Sequence, residues 1–230
     1  MFAVIFEVHP KRERWDDYLS LAKQLKPKLE AVDGFIDNER FGSKKKEGNV
    51  LSLSTWRDEK SVVRWRTQGE HHDVQEKGRS DVFEDYHLRV GEITADSRPP
   101  MGLKIDAQRF DETEIGNAKT CTITEVAPSN KSKPGPQSDL VLARLHLDSA
   151  ADGLLDWEIF ESITSLGKLL ILGSWRDKLA AESWKPMSFD GAGEIRHREV
   201  RVIRDYGMFE RREAPQFYPA VDRTVQERCA

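Results

Sequence analysis

The sequence has few cysteines, no long apolar run and little excess of either charge. Its 230 residues include two cysteines, Cys121 and Cys229, which lie far apart and belong to no metal-binding or redox motif. This usage is typical of a reducing compartment, and neither cysteine is expected to act as a nucleophile. Apolar runs such as residues 169–172 are far too short to cross a bilayer.

The charges are nearly balanced, with 36 basic and 40 acidic residues and a net charge of −4. Such a balance gives no reason to expect nucleic acid or an anionic membrane as a partner. Residues 1–9 alternate in polarity, and the basic residues Lys11, Arg12 and Arg14 follow them, which is the reverse of a signal peptide. We therefore expect a cytoplasmic protein.

The dominant feature of the sequence is an internal repeat. Residues 33–65 match residues 152–184 without a gap, at a constant offset of 119 positions. DGFIDNERF corresponds to DGLLDWEIF, VLSLSTWRD corresponds to LLILGSWRD, and Trp65 corresponds to Trp184. A match of this length with two paired tryptophans indicates two copies of one small domain.

Within the first copy, apolar periodicity predicts the order strand, helix, strand, strand, helix, strand. Alternating residues indicate strands, and apolar residues three or four apart indicate helices. Pro27 should bend the first helix or start a second segment, and the second helix should break near Gly69. The strands are expected at residues 2–9, 35–41, 50–56 and about 86–93, and the helices at residues 13–32 and 58–77.

The second copy should begin with a strand at about residues 119–126, followed by a loop rich in Ser, Lys and Pro. Residues 140–147 alternate like a strand, but their correspondence to the first helix favours a helix instead. The second helix is cut short at Pro186, and the HREV motif at residues 197–200 matches HLRV at residues 87–90 with nine fewer intervening residues. The second copy has therefore lost the back half of that helix.

This element order predicts an α+β fold made of two ferredoxin-like βαββαβ repeats. Each sheet would carry helices on one face only, so the two bare apolar faces can bury each other in an intramolecular dimeric α+β barrel. The predicted boundaries are residues 1–95 for the first domain, 96–118 for a linker, 119–206 for a degenerate second domain and 207–230 for a C-terminal tail.

A series of short motifs runs through the first copy and into the tail. They comprise residues 33–41, residues 51–66, His71, Gln75, Gly78, Arg79, Asp85, Tyr86, Arg89, Val90 and RDYGM at residues 204–208. Together they resemble the antibiotic biosynthesis monooxygenase domains of the dimeric α+β barrel superfamily, over essentially the whole chain. The resemblance implies a tandem repeat of that domain, with a pocket between the sheet and the helices of one half.

The resemblance also implies an activity, cofactor-independent oxygenation of a small aromatic, quinol or polyketide-like substrate by dioxygen. Such a site must deprotonate the substrate and exclude water, which suits a histidine near neutral pKa surrounded by aromatic walls. The expected catalytic residues are His71, Asn38 and Trp65. The expected substrate-binding residues are Trp15, Tyr18, Phe41, Trp56, Val62, His72, Gln75, Arg79, Tyr86 and His87.

Recurrence between the copies weighs against some of these roles. Trp56 and Trp65 recur as Trp175 and Trp184, and His87 has a counterpart in His197, which favours packing roles for them. His71 has no counterpart, although a solvated helix surface explains it as well as a catalytic base does. Asn38 is replaced by Trp157, which with Leu155 and Ile159 should fill the second half. We therefore expect one pocket per chain, with Asn38 and Ile36 on the same strand face.

We expect no cofactor and no metal, because no pair of histidines or carboxylates has a ligand spacing. Haem is the alternative cofactor. The haem-degrading relatives combine a histidine of the second helix with a tryptophan, here Trp65, and an asparagine of the first strand, here replaced by Glu7. Two other functions remain open, a binding protein for hydrophobic small molecules and a non-catalytic barrel. The pseudo-dimeric chain could also pair as a homodimer.

Overall fold

The computed structural model describes residues 1–129, 138–218 and 221. Cys229 and most of the Ser-, Lys- and Pro-rich loop after Pro128 lie outside the described residues. The strands are β1 (Phe2–Pro10), β2 (Phe35–Ser43), β3 (Val50–Trp56), β4 (Phe83–Asp96), β5 (Thr120–Pro128), β6 (Leu154–Ser162), β7 (Leu169–Trp175) and β8 (Ala192–Gly207). The helices are α1 (Trp15–Glu30), α2 (Glu59–Arg66), α3 (Gly69–Lys77), α4 (Ser138–Arg144) and α5 (Lys178–Glu182).

These strands form one closed antiparallel barrel in the order β1-β3-β2-β6-β7-β5-β8-β4. Each repeat contributes four adjacent strands, so the two half-sheets join at two seams. The β4–β8 seam is long, running from His87 opposite Gly207 to Asp96 opposite Arg198. The β2–β6 seam is shorter, with a ladder from Phe41 opposite Ser162 to Ser43 opposite Phe160. The predicted intramolecular α+β barrel is therefore confirmed.

The barrel interior is filled by side chains from both halves. Phe41, Ile123 and Phe160 belong to one buried apolar cluster, and Leu103 and Ile105 of the connecting segment pack against it. A buried polar group adds to this core, in which Glu125 pairs with both Arg198 and Lys168. The interior is thus filled like a core, which leaves the outer, helix-covered faces of the strands and the barrel ends for a site.

A β-bulge corrects one prediction about strand β2. The register shifts between Phe35 and Asp37, so the extra residue reverses the alternation at this point. Ile36 therefore packs against the barrel interior, while Asn38 points to the helical side, where it borders a cavity. The expectation that Ile36 and Asn38 share a face is wrong. Leu155 of β6, beside the matching bulge, is likewise exposed rather than part of the filled face.

The helices of the first half form a nearly complete layer over the sheet. Helix α1 runs through Pro27 as a single helix, with no second segment. Helix α2 begins where Asp58 accepts a hydrogen bond from the Ser61 amide, a helix cap of the kind that Asp favours. Helix α3 follows after a short break and continues into a π-helical turn, Gly78–Val82. Among the described residues, no helix is both long and apolar enough to cross a membrane.

The helical layer of the second half is reduced. Residues 140–144 are helical, as the repeat predicted, but the helix ends at Arg144 instead of continuing to residue 147. Helix α5 has five residues and is followed closely by Pro186. Trp175 and Trp184 stack 6.3 Å apart and pack with Val141, Leu145 and other residues into one buried cluster. The second half is therefore a solid core.

Candidate active site

A cavity of about 190 Å³ lies between the outer face of the first half-sheet and helices α1, α2 and α3. Its walls are mainly apolar, and the C-terminal tail covers one side. The sheet contributes Val4, Phe6, Leu88 and Val90 to these walls. The helices contribute Leu21, Ala22, Leu25, Leu29, Val62 and Val74, and the tail contributes Arg211, Gln216 and Tyr218. The cavity is therefore an apolar chamber with a small number of polar groups, the usual form of a small-molecule site.

Helix α3 places two polar residues, His71 and Gln75, in the cavity wall. His71 is the titratable one. Its ring stacks on Trp65 with centroids 4.1 Å apart, and its Nδ1 lies 3.0 Å from the Trp65 carbonyl oxygen. A carbonyl oxygen can only accept, so Nδ1 carries the proton and Nε2 is left with its lone pair. Burial lowers the pKa of His71 to about 4. The imidazole is therefore neutral at pH 7, and Nε2 can accept a proton or a hydrogen bond.

Strand β2 contributes two polar side chains to the cavity floor, Asn38 and Arg40. Asn38 donates through Nδ2 to the Ser52 hydroxyl at 3.1 Å and to the Leu53 carbonyl at 3.0 Å. These two bonds fix the amide, and its Oδ1 has no partner among the described residues. Arg40 lies two residues further along the same strand face and close to the Tyr18 hydroxyl of α1.

The C-terminal tail contributes polar groups at the opposite side. The Tyr86 hydroxyl accepts from Arg79 at 2.7 Å and from Arg211 at 2.6 Å. Tyr218 donates to Gln75 Oε1 at 2.8 Å and stacks on His72. The tail is thereby attached to both the last strand of the first repeat and helix α3, and it closes the chamber over them.

The charges around this cavity are all of one sign. Five cationic side chains line it, Lys26, Arg40, Arg66, Arg79 and Arg211, and none of its described lining residues is Asp or Glu. Clefts lined by one sign of charge in a low-dielectric wall attract the opposite charge. The chamber is therefore suited to an apolar molecule that carries a negative charge.

The structure brings a large part of the predicted site together. Asn38, Trp65, His71, Tyr18, Val62, Gln75, Arg79 and Tyr86 all border the one cavity. Asn38 and Tyr86 occupy outward-facing positions of strands β2 and β4. Most of the others lie on the sheet-facing sides of α1, α2 and α3. Their catalytic and binding roles stay predictions.

The remaining predicted residues lie elsewhere. Phe41 is fully buried in the barrel interior, because it is three positions from Asn38 and successive strand residues point to opposite faces. Trp56 is also fully buried and packs edge-on against Phe35 at 5.5 Å, at a filled end of the helix–sheet layer. Trp15 packs beside Tyr18 but does not reach the cavity.

The two other histidines of the prediction point away from the cavity. His72 is exposed, as expected from its position next to His71 on the helix, and contacts the outer side of Tyr218. His87 lies in a separate groove at the barrel end, with its Nε2 2.5 Å from Asp205 Oδ1. Glu7 lines that same groove and pairs with Arg89. Neither histidine can act on a ligand in the chamber.

Sequence reasoning missed several lining residues, chiefly Arg40, Tyr206, Arg211, Gln216 and Tyr218. Arg40 carried a usable signal, because its counterpart in the second copy is Ile159, so it fails to recur just as Asn38 does. The tail residues carried none, since they lie more than a hundred positions from the residues they touch, as in the Tyr218 bond to Gln75. Only folding brings them to the cavity.

Comparison with known proteins agrees with this architecture. The family model described as antibiotic biosynthesis monooxygenase matches residues 1–77. The chain is 44% identical over 224 residues to a protein of Pyricularia oryzae named jasmonate monooxygenase ABM, with 95% of this chain and 99% of that protein covered. The chain belongs to the antibiotic biosynthesis monooxygenase family. The family resemblance predicted from the sequence motifs is thereby confirmed.

Two further comparisons have lower sequence identity. An uncharacterized protein of Bacillus subtilis, YqjZ, is 29% identical over 92 residues, which cover 40% of this chain and 78% of that protein. A crystal structure of aldoxime dehydratase superposes with a TM-score of 0.54 at 12% identity, over 88% of this chain and 81% of that one. The latter likeness concerns the fold alone. The family assignment rests on the full-length relative.

Proposed function

We propose that this chain is a cofactor-independent monooxygenase that oxygenates a small, largely apolar substrate in the first-repeat cavity. The supporting observation is a neutral His71 with an available Nε2 in a chamber with mainly apolar walls. The family supplies the reaction class. The site supplies a proton acceptor, apolar walls that exclude water, and an amide oxygen on Asn38 for orienting the substrate.

The low pKa of His71 sets what this base can do alone. Moving a proton from a phenol of pKa about 10 to an imidazole of pKa about 4 costs about 8 kcal/mol, at 1.36 kcal/mol per unit. Turnover of about 1 s⁻¹ corresponds to a barrier of about 17 kcal/mol, so this cost fits within it. A substrate anion held nearby would lower the cost further by raising the pKa of His71.

Two substrate classes fit a small chamber of this kind. A phenol or quinol can give up all the electrons that dioxygen needs, because oxidation of its ring to a quinone accompanies release of water. The relative from Pyricularia oryzae is named for a jasmonate, a small cyclopentanone carboxylic acid. Hydroxylation of a saturated carbon in such an acid consumes two further electrons from a reductant, so the requirement for a reductant separates the classes.

Oxygen consumption with quinols, polyphenols and jasmonic acid, each with and without NADPH as reductant, tests the proposal. His71→Ala should lower kcat at least about 100-fold, the usual contribution of general base catalysis. The adjacent His72→Ala is the matched control, because His72 lies on the same helix outside the cavity, and it should stay within about threefold of the parent. An unchanged rate in His71→Ala would remove His71 from the role.

Haem binding is a second candidate, and it is favoured by one observation. A ligating histidine commonly donates its other ring N–H to a carbonyl, which is how His71 holds Nδ1 towards Trp65. The cavity of about 190 Å³ is smaller than the ~300 Å³ at which ordinary ligand pockets begin, so haem fits poorly without movement of the tail. Titration with haemin decides this, since a Soret band that His71→Ala abolishes would support haem binding.

A further inference from the structure

We infer that Arg40 and Tyr18 form the anion-binding end of the cavity, and that the substrate is an amphipathic monocarboxylate whose carboxylate they hold. This inference rests on the proposed function in one respect, that the cavity is the substrate site. It goes further by naming the charged group of the substrate and the two side chains that recognise it.

Arg40 is a cation that the fold leaves uncompensated. Among the described residues it forms no ion pair, and its buried Nε has no hydrogen-bond partner. A guanidinium presents five donors in a planar fork that matches a carboxylate. Because charged groups away from water are normally paired, an unpaired Arg40 facing a cavity indicates that its counter-charge arrives with a ligand.

Tyr18 supplies a second donor at the same place. Its side chain is 5% exposed, and its hydroxyl has no acceptor within hydrogen-bond distance among the described residues. Burial raises the pKa of Tyr18 while the neighbouring Arg40 charge opposes that rise, so the hydroxyl keeps its proton and can donate it. A buried Tyr hydroxyl usually has a partner. A carboxylate oxygen would satisfy both Tyr18 and Arg40.

The internal repeat separates Arg40 from the other arginines of the cavity. The counterpart of Arg40 is Ile159, which is buried in the apolar core of the second half. Arg66, by contrast, has Lys185 as its counterpart, so a cation recurs there although the described residues of the second half pack as a core. Arg79 and Arg211 already donate to the Tyr86 hydroxyl. Arg40 is thus present in the repeat that has the cavity and is replaced by an apolar residue in the repeat that packs as a core.

The remaining walls define the rest of the ligand. The walls that β1, β4, α1 and α2 contribute are mainly apolar, which fits a charged head at Arg40 on a hydrocarbon or alicyclic body. His71 and Trp65 lie on the helix side of the same chamber. A substrate anchored by its carboxylate would therefore present its body to the proton acceptor.

Anaerobic binding of jasmonic acid and methyl jasmonate tests the assignment, because the two probes differ only at the head group, where an uncharged methyl ester replaces the carboxylate. Calorimetry should show the acid binding the parent at least tenfold more tightly than the ester. Arg40→Gln should reduce the affinity for the acid at least tenfold and leave the ester unchanged, and Tyr18→Phe should show a smaller loss of about threefold. Arg12→Gln, which changes an exposed arginine outside the cavity, is the control and should keep the preference of the parent.

The alternatives have distinct outcomes. Equal binding of acid and ester, no binding of either, or loss of preference in Arg66→Gln but not in Arg40→Gln would overturn the inference. Arg40→Lys keeps the positive charge but removes the planar guanidinium donors. A thermal unfolding midpoint like that of the parent, together with retained ester binding, establishes that this variant is folded. Preferential binding of the acid without any oxygen consumption would support the carboxylate site while overturning the proposed function. Oxygenation of the ester as fast as the acid would support the proposed function while overturning the carboxylate site.

Discussion

The two halves of the barrel were built from the same repeat, yet one holds a chamber and the other a core. In the first half, α2 and α3 together extend from Glu59 to Lys77 and leave space above the sheet. In the second, α5 has five residues, and Trp157 and Ile159 occupy the positions of Asn38 and Arg40. The difference teaches that a cavity needs both a long covering layer and polar or small residues on the strand beneath it.

The largest expected contrast concerns the equivalent tryptophans Trp184 and Trp65. Trp184 is 6% exposed inside the solid core, so Trp184→Ala should lower the free energy of unfolding by about 3–5 kcal/mol. Trp65 borders a space that already exists, so Trp65→Ala should cost about 1–2 kcal/mol and act mainly on activity. Urea unfolding of both variants measures this, and equal losses would mean that the halves are packed alike.

The second contrast concerns pH and the two histidines with lowered pKa values, the partly buried His71 and the buried His197. Burial lowers the pKa of each to about 4, from an ordinary value of 6.5. The unfolded chain therefore binds protons that the folded chain does not, so each histidine stabilises the fold above pH 6.5 and this contribution is lost as pH falls towards 4. The loss is about 3 kcal/mol for each histidine.

Unfolding free energies of His71→Gln and His197→Gln between pH 7 and pH 4.5 test this expectation, and each variant should show a shallower fall than the parent. Activity separates the halves, since only His71→Gln should reduce turnover. The kcat/KM profile of the parent should stay level from pH 8 to about pH 5. A midpoint near pH 6.5 would show that the functional base is solvated.

The third and smallest contrast converts one half towards the other. Asn38→Trp introduces the residue that fills the second half, so it should reduce activity at least about tenfold by occupying the chamber. Overpacking of this kind costs about 1–3 kcal/mol of stability, and circular dichroism melting will detect it. Trp157→Phe in the second half is the control and should leave turnover within about twofold. An active Asn38→Trp would show that substrate binds elsewhere.

The fold could be predicted from the sequence because it depends on local periodicity and on an internal repeat. Aligning the two copies shows which segments of the chain correspond. The site could be predicted only in part. His71 and Asn38 were found through their failure to recur, and the same criterion would have found Arg40. Phe41 was misplaced because strand alternation puts it inside the barrel, and the tail was missed because its contacts, such as Gln216 Nε2 to the Arg66 carbonyl at 3.0 Å, span 150 positions.

The short seam between β2 and β6 gives the solid half a further importance. The Ile163 amide donates to the Arg40 carbonyl at 3.0 Å, and the Ser162 hydroxyl donates to Glu39 at 2.5 Å. The backbone that carries Arg40 is therefore held in place by residues of the other repeat. Expressed alone, the first repeat would expose that strand edge and lose the restraint on Arg40, so the half without a chamber keeps the other half's binding geometry intact.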